Sequence, residues 1–507
     1  MSRRNKGGWR GRWLALLLGA VGCGGPWVEE TPPQAQPEQA TEVLAQHEAP
    51  DSDCTPRPEP AFQVKQSPDV NPFTFFPSPV LTPLKGRVYF FAPYPEEGPS
   101  ALWRADASGE GARPFRENVD GPLLKAGDLL YFVQNGSLWA SDGTERGTRR
   151  IKELGDIRLS SDFADVRGRL FFPVARDTDT DDTSLELWVS DGSPGGTRLI
   201  ASFPSEPYVL TQLIEFRGRL FFLAADAAHG LELWTSDGTT KGTRLFKDIA
   251  PGPANSYPFQ LTVVDNSLYF VADDQVHGEE PWTTRSMDPA RTFLVKDFVP
   301  GPGSSHSRLL AGLHGDLYLT LHPADEFNDL ELWRTDGWPH ATVRVKRFSS
   351  PDPLFAELWS PEAAITAGNR LYFLVQPLST TGPGAGLAQL WRTNGTSQGT
   401  RFLTERLTFG DEGPIPELFA VDDTVLFPSW DNLELDDPRQ HGQELWRTEG
   451  SVSSTRLLQD LRPGPESSYP SEFVRAGRYV YFITQDVFRT YRLWALPVES
   501  VRCSGSR

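Results

Sequence analysis

One short motif recurs along the chain and constrains its fold more than any other feature. The segment LELWTSDGTTKGTRLFKDI at residues 231–249 returns as SLELWVSDGSPGGTRLI from Ser184, SLWASDGTERGTRRI from Ser137 and LAQLWRTNGTSQGTRFL from Leu387. More divergent copies extend the series, and the shared tryptophan marks nine units: Trp103, Trp139, Trp188, Trp234, Trp282, Trp333, Trp391, Trp446 and Trp494. The gaps between them are 36, 49, 46, 48, 51, 58, 55 and 48 residues. A period of this length is typical of repeat architectures.

A second element precedes the motif in every unit. A polar pair containing Gly, Asn or Asp is followed by an apolar run, as in GRLFFLA at Gly218 and NSLYFVA at Asn266. This pattern predicts a tight turn entering a strand that is buried on both faces. With an apolar stretch before the turn, such as LTVV at Leu261, each unit contains four strands. We name them A, B, C and D, with the tryptophan on strand C.

Four short antiparallel strands per repeat describe the blade of a β-propeller. We therefore predict an all-β fold with about nine four-stranded blades over residues 61–499. Because propellers usually have about four to eight blades, an eight-bladed ring with one irregular unit is the alternative.

The repeated residues have a packing explanation. Trp234 is large enough to fill the wedge between neighbouring blades, and recurrence in every unit favours this over a ring of ligand platforms. The Asp-Gly pair after strand C supplies a backbone position that tolerates positive φ, Gly242 provides another, and together they close the loop between strands C and D. These turn residues are Asp142, Gly143, Asp191, Gly192, Asp237, Gly238, Asp336 and Gly337.

The two ends of the chain suggest how the ring closes. The last unit ends after strand C, whereas Phe62-Gln63-Val64-Lys65-Gln66 matches Phe293-Leu294-Val295-Lys296-Asp297, a strand D. We predict that the N-terminal strand completes the ninth blade. Adjacent antiparallel strands would then bring Cys54 and Cys503 to the same end, and we predict a disulfide between them.

The first sixty residues read as an export signal and a tether. Arginines precede the apolar run WLALLLGAVG, which is too short for a permanent transmembrane helix. Small residues then lead to Cys23, as in a bacterial lipobox. We predict a signal peptide over residues 1–22, lipidation of Cys23 and a Pro/Glu/Gln-rich disordered tether over 23–60, with 500–507 as a tail. The protein would be exported to the outer membrane or cell surface; a secreted or periplasmic protein is the alternative.

Charge excludes one class of partner. The net charge is −18, and no basic stretch lies outside the N-terminus. An acidic surface repels phosphate, so nucleic acid is not an expected partner. We expect a monomer that reaches the membrane only through its lipid anchor.

The repeat resembles the ELWxxDGT repeat proteins, a group of bacterial surface and secreted propellers. The resemblance spans roughly residues 62–498 and is strongest at Glu232-Leu233-Trp234-Thr235-Ser236-Asp237-Gly238-Thr239, while the fifth unit has Glu280-Pro281-Trp282 and no DGT. That family is defined by its repeat, so the resemblance implies architecture and leaves activity open.

No residue pattern predicts catalysis. His229, His277 and His441 each precede Gly and lie five residues before a repeat tryptophan, so we interpret them as B–C turn residues. The loop RDTDTDDTS offers Asp177, Asp179 and Asp181 as oxygen ligands for calcium. It lacks the Gly and Glu of an EF-hand loop, and we interpret it as solvated. We predict no cofactor and no catalytic site.

The expected function is a non-enzymatic binding scaffold for a protein or glycan. Loops that differ between blades would give specificity, above all the long B–C loops from Gln376 to Leu387 and from Ser429 to Gln443. Two alternatives remain: a carbohydrate-active enzyme with carboxylates in a central pocket, and a purely structural envelope component.

Overall fold

A computed structural model describes most of the chain from residue 60 onward. The described residues are 60–64, 80–93, 99–106, 108, 111–155, 158–159, 162–177, 183–204, 210–322, 329–349, 354–355, 364–377, 387–408, 417–430, 441–486 and 490–501. The chain divides into the units Met1–Asp53 and Cys54–Arg507, and every described residue belongs to the second.

The strands run along the chain in blade order. The first third comprises β1 (Phe62–Gln63), β2 (Thr82–Leu84), β3 (Arg87–Pro93), β4 (Ser100–Ala105), β5 (Ala112–Glu117), β6 (Asp120–Ala126), β7 (Leu129–Gln134), β8 (Ser137–Ser141), β9 (Arg149–Glu153), β10 (Arg158–Leu159), β11 (Ala164–Val166), β12 (Arg169–Asp177), β13 (Thr183–Ser190) and β14 (Arg198–Phe203). The middle comprises β15 (Leu210–Phe216), β16 (Arg219–Asp226), β17 (Gly230–Ser236), β18 (Arg244–Lys247), β19 (Phe259–Val264), β20 (Ser267–Asp273), β21 (Glu279–Thr284), β22 (Thr292–Leu294), β23 (Arg308–Leu313), β24 (Asp316–Leu321), β25 (Asp329–Thr335) and β26 (Val343–Ser349). The last part comprises β27 (Leu354–Phe355), β28 (Ala364–Ala367), β29 (Arg370–Pro377), β30 (Leu387–Thr393), β31 (Arg401–Thr408), β32 (Phe419–Val421), β33 (Thr424–Trp430), β34 (Gln443–Thr448), β35 (Arg456–Gln459), β36 (Ser471–Ala476), β37 (Tyr479–Gln485) and β38 (Tyr491–Pro497).

These strands form nine antiparallel sheets, which confirms the nine-bladed propeller and rules out the eight-bladed alternative. Blades 1 to 8 begin at β2, β6, β10, β15, β19, β23, β27 and β32, and blade 9 is β36, β37, β38 and β1. In blades 3 and 7 strand A is divided into two short pieces that pair with the same strand B. Two 3-10 helices, Pro289–Arg291 and Pro339–Ala341, replace part of the C–D turn in blades 5 and 6, and α1 (Val498–Val501) follows β38.

Strand A lies on the inside of the ring. Strands A of successive blades contact each other, and β2 of blade 1 contacts β36 of blade 9. Strand B is buried on both faces because blades pack against each other there; Leu268, Phe270 and Val271 of β20 are each 0% exposed. Burying such strands on both faces removes their apolar area from water, which stabilises the ring.

The N-terminal strand closes the ring as predicted. β1 pairs antiparallel with β38, with Phe62 opposite Ala495 and Gln63 opposite Trp494. The Val64 N–H extends the ladder by donating to the Leu493 carbonyl over 2.9 Å. The ninth blade therefore contains both ends of the described chain and takes its strand D from the N-terminus.

Candidate functional site

The two ends of the propeller differ in what their loops contact. Strand C starts at one end, after the B–C loop, and finishes at the other, where the C–D turn follows. We call these the B–C end and the C–D end. The segment that leads from strand D to strand A of the next blade, here called the crossover, lies at the B–C end.

The C–D turn is stabilised by the repeated aspartate. The Asp237 Oδ1 accepts the Thr239 N–H and hydroxyl over 2.9 and 2.7 Å, and the Thr239 hydroxyl accepts the Gly242 N–H over 2.9 Å. Gly238 has a φ of +88°, a conformation that glycine adopts without strain. The prediction of a second positive φ at Gly242 is wrong; glycine stands there because a Cβ would lie 2.0 Å from Asp237 Oδ1. Chiefly through the Thr239 hydroxyl bond, the pKa of Asp237 is held below its usual value.

The same turn also binds the preceding blade. The carbonyl oxygens of Asp237 and Gly238 accept hydrogen bonds from Arg169 and Arg198 of blade 3 over 2.9 and 2.7 Å. In blade 2, the Gly143 carbonyl accepts the Arg104 guanidinium of blade 1 over 3.0 Å. The C–D turns therefore connect neighbouring blades. This role was not predicted, because the sequence does not show which acceptor each arginine binds.

All nine repeat tryptophans lie on strand C, within or against the cores between blades. Trp103, Trp188, Trp282 and Trp446 are buried and the other five are half-buried. In blades 3, 6 and 7 the indole N–H donates to the side chain two residues earlier, at 2.9 to 3.0 Å: Glu186, Glu331 and Gln389.

The equivalent glutamate has another role in blades 4, 5 and 8. Glu232, Glu280 and Glu444 are each 0% exposed and bind the crossover. The Glu232 carboxylate accepts the N–H groups of Ile249 and Ala250 over 3.0 and 3.1 Å, and the Ser256 hydroxyl over 2.6 Å.

This arrangement, which we call the crossover clamp, recurs with N–H donors at the start of each crossover. The Glu280 carboxylate accepts the Val299 N–H over 3.1 Å, and the Glu444 carboxylate accepts the Leu461 N–H over 2.8 Å. Burial raises the pKa of Glu232 and of Glu280 to about 7 and that of Glu444 to about 8. The glutamates with raised pKa are therefore parts of the scaffold, shielded from solvent.

The glycine after each repeat histidine completes the clamp. A Cβ on Gly230, whose φ is +64°, would lie 2.4 Å from the Ala254 carbonyl oxygen of the crossover. Gly278 and Gly442 contact their crossovers in the same way. The close approach of two backbones explains why glycine stands at this point of the repeat.

The histidines lie in B–C turns beside carboxylates. The Nδ1 atom of His229 lies 2.9 Å from Asp226 Oδ1, and that of His277 lies 2.8 Å from Asp274 Oδ2. Hydrogen bonding to these aspartates raises the pKa of both histidines. His441 occupies the equivalent place before β34.

Sequence reasoning missed one group of residues at this end. Tyr257, His306 and Tyr469 occupy the same crossover position and have φ values of +43°, +50° and +46°. Tyr257 is 55% exposed, and His306 is also exposed. A second repeat could have identified this position, because the crossover sequence DIAPGPANSYP at 248–258 recurs as DFVPGPGSSHS at 297–307 and DLRPGPESSYP at 460–470.

Several predicted sites fall outside the described residues. These are Cys23, Cys54, Cys503, Asp179, Asp181, the side chain of Asp177, and residues 378–386 and 431–440 of the two long B–C loops. Across the described ranges, no three His, Cys, Asp or Glu side chains converge as a metal-binding group. Within the same part of the chain, no helix is long and apolar enough to span a membrane.

Comparisons with known proteins give a fold-level likeness only. No family model and no curated protein matches the chain. A puromycin hydrolase matches at 17% identity with a TM-score of 0.36, over 72% of this chain and 61% of its own length. BamB from Moraxella catarrhalis matches at 12% identity and a TM-score of 0.35, over 88% and 100%. The β-propeller domain of the Trilobed protease from Pyrococcus furiosus matches at 12% identity and a TM-score of 0.31, over 64% and 98%.

Proposed function

We propose that this protein is a non-enzymatic, surface-anchored scaffold that binds a protein or glycan ligand at the B–C end of its propeller. The observation that carries the proposal is the difference between the two ends. Exposed apolar side chains occur at both ends, but the C–D turns also join blades: their backbone groups bind the neighbouring blade, and Trp338 of one turn stacks on Phe293 of the preceding blade. At the B–C end, Tyr257 and Val276 are 55% and 60% exposed on crossover and loop backbone. Binding residues typically lie on such loops above a rigid scaffold.

The exposed side chains differ between blades, as specificity demands. At the crossover position Tyr257 is followed by His306 one blade later, and Val276 of the blade 5 B–C loop is 60% exposed. The clamps hold these residues on fixed backbone. A rigid scaffold that presents different side chains on each blade suits recognition of one ligand over others.

The buried glutamates support the non-enzymatic part of the proposal over a carbohydrate-active enzyme. Glu232, Glu280 and Glu444 have the raised pKa expected of a general acid, but their carboxyl groups bind crossover N–H groups and have no exposure to solvent. A substrate therefore has no access to them.

The anchor remains part of the proposal and rests on the sequence alone. Cys23 would carry the lipid, and the tether would hold the propeller away from the outer membrane or cell surface.

The test uses the full chain, purified in detergent, on a glycan array and in pull-downs from envelope extract. We expect saturable binding of a ligand that is recovered chemically unchanged after incubation. Cleavage of a retained glycan would favour the enzyme alternative, and failure to retain any ligand would favour the purely structural one.

A further inference from the structure

We propose that Tyr257 and Gln275 form a binding site for an uncharged glycan, in which a sugar ring packs on the Tyr257 ring and its hydroxyls bind the neighbouring amides. The site lies at the B–C end, where the crossover from blade 4 meets the B–C loop of blade 5. The inference rests on the proposed binding function and names its ligand class.

The backbone at this site is strained where the side chains are exposed. Tyr257 has a φ of +43° and Gln275 a φ of +67°, in the left-handed region that bulky residues rarely occupy. Glycine or asparagine would form either turn at less cost. Since both side chains are also exposed, core packing does not explain their presence. The same conformation recurs at His306 and Tyr469, so the left-handed backbone belongs to the repeat; what distinguishes this site is the exposed Tyr257 beside the exposed Gln275.

Asn255 connects the two strained residues. Its side-chain Nδ2 donates to the Tyr257 hydroxyl over 2.9 Å, and its main-chain carbonyl accepts a hydrogen bond from the Gln275 Nε2 over 3.2 Å. The Asn255 Oδ1 in turn accepts the Leu231 N–H over 2.7 Å. The ring and both amides therefore share one anchored network.

The base of the site is buried and rigid. Ser256, between Asn255 and Tyr257, is 0% exposed, and its carbonyl accepts the Asp273 N–H from the end of β20 over 2.9 Å. Its hydroxyl binds Glu232 of the clamp over 2.6 Å. A site that is already ordered loses little entropy when a ligand binds, so a small ligand suffices.

The side chains present fit a sugar better than other ligands. One face of a pyranose ring consists of C–H groups that pack on an aromatic ring, while its hydroxyls both donate and accept, as primary amides do. Asp273 and Asp274 directly precede Gln275, in a chain of net charge −18, which disfavours an anionic glycan. A protein partner would need far more area than this cluster offers.

The chain contains a matched control at the third clamp. Tyr469 has the same left-handed conformation, with a φ of +46°, but Ser467 stands where Asn255 would be. Tyr469→Asn therefore removes the tyrosine at the equivalent position, which is half-buried, from a place without Asn255.

The experiment measures binding of cellohexaose, maltohexaose and chitohexaose to the full chain by calorimetry, and the melting temperature of each variant. We expect the wild type to bind at least one hexasaccharide. Tyr257→Asn and Gln275→Gly should each weaken that binding by about tenfold or more, while Tyr469→Asn stays within about twofold. Neither of the first two variants should melt lower than the wild type, because each relieves left-handed strain.

Three results would overturn the site. They are no binding of any hexasaccharide by the wild type, unchanged binding by Tyr257→Asn, and melting of both site variants well below the wild type. If a protein ligand is retained while no hexasaccharide binds, the scaffold function stands and this site assignment is wrong.

Discussion

At the residue scale, two adjacent glycines in the blade 3 C–D turn have different surroundings. A Cβ on Gly196 would lie 2.0 Å from Asp191 Oδ1, the carboxylate that stabilises the turn, whereas a Cβ on Gly195 would meet nothing within 4 Å. The repeat needs glycine at the second position because the Asp191 side chain fills the space.

We predict that Gly196→Ala destabilises the protein and Gly195→Ala does not. Displacing the Asp191 carboxylate removes its bonds to the Ser193 N–H and hydroxyl, so the free energy of unfolding should fall by roughly 1–2 kcal/mol. Urea unfolding of both variants checks this. Equal midpoints would show that the carboxylate is dispensable.

The buried clamp glutamates make stability depend on pH. Burial raises the pKa of Glu444 to about 8 in the folded protein, above the usual glutamate value of 4.5. A raised carboxyl pKa means that folding favours the protonated form. The stabilisation is complete below the unfolded pKa and is lost as the pH rises through the folded one.

We therefore predict that unfolding free energy falls between about pH 5 and pH 8, and falls less in Glu444→Gln, which imitates the protonated state. Glu186→Gln is the control, since Glu186 occupies the same repeat position but pairs with Arg176. Melting temperatures of the wild type and both variants, measured between pH 5 and pH 8, test this prediction. A Glu444→Gln curve parallel to that of the wild type would contradict the assignment.

At the element scale, the closing strand β1 is short but well buried at one point. Val64, just after β1, is 1% exposed and packs against blades 1 and 9, whereas Gln63 is exposed. Ala61 extends the anchor, because its N–H donates to Gln459 Oε1 of blade 8 over 2.6 Å.

We predict that Val64→Asp destabilises the ring by about 3 kcal/mol or more, because it buries an unpaired charge. Gln63→Asp, which adds the same charge at an exposed position, should be nearly neutral. Thermal unfolding of the pair tests whether this segment closes the ring. Similar melting temperatures for both variants would mean that it does not.

Blades and ring closure could be predicted because their signals are local. Each strand B is one apolar run, and the segment at Phe62 matches a strand D directly. The crossover clamp could not be predicted, because Glu232 binds Ser256, 24 residues later, and the sequence motif does not reveal that partner. The strain at Tyr257 was also hidden, since φ cannot be read from residue type.

At the scale of the whole molecule, the closed ring leads to a disulfide prediction. β1 and β38 are adjacent and antiparallel, while Cys54 precedes the first and Cys503 follows the second, both outside the described residues. An exported protein can form this bond. Peptide mapping without reductant should find Cys54 joined to Cys503; two free thiols would contradict it.

We propose that ligand binds at the B–C end and leaves the C–D turns, which bind the neighbouring blade, unperturbed. Hydrogen exchange of the full chain, with and without its retained ligand, tests this directly. We predict ligand-dependent protection in peptides covering 226–230, 251–258 and 274–279, and none at the C–D turns 191–197 and 237–243. Protection confined to the C–D turns would contradict the account.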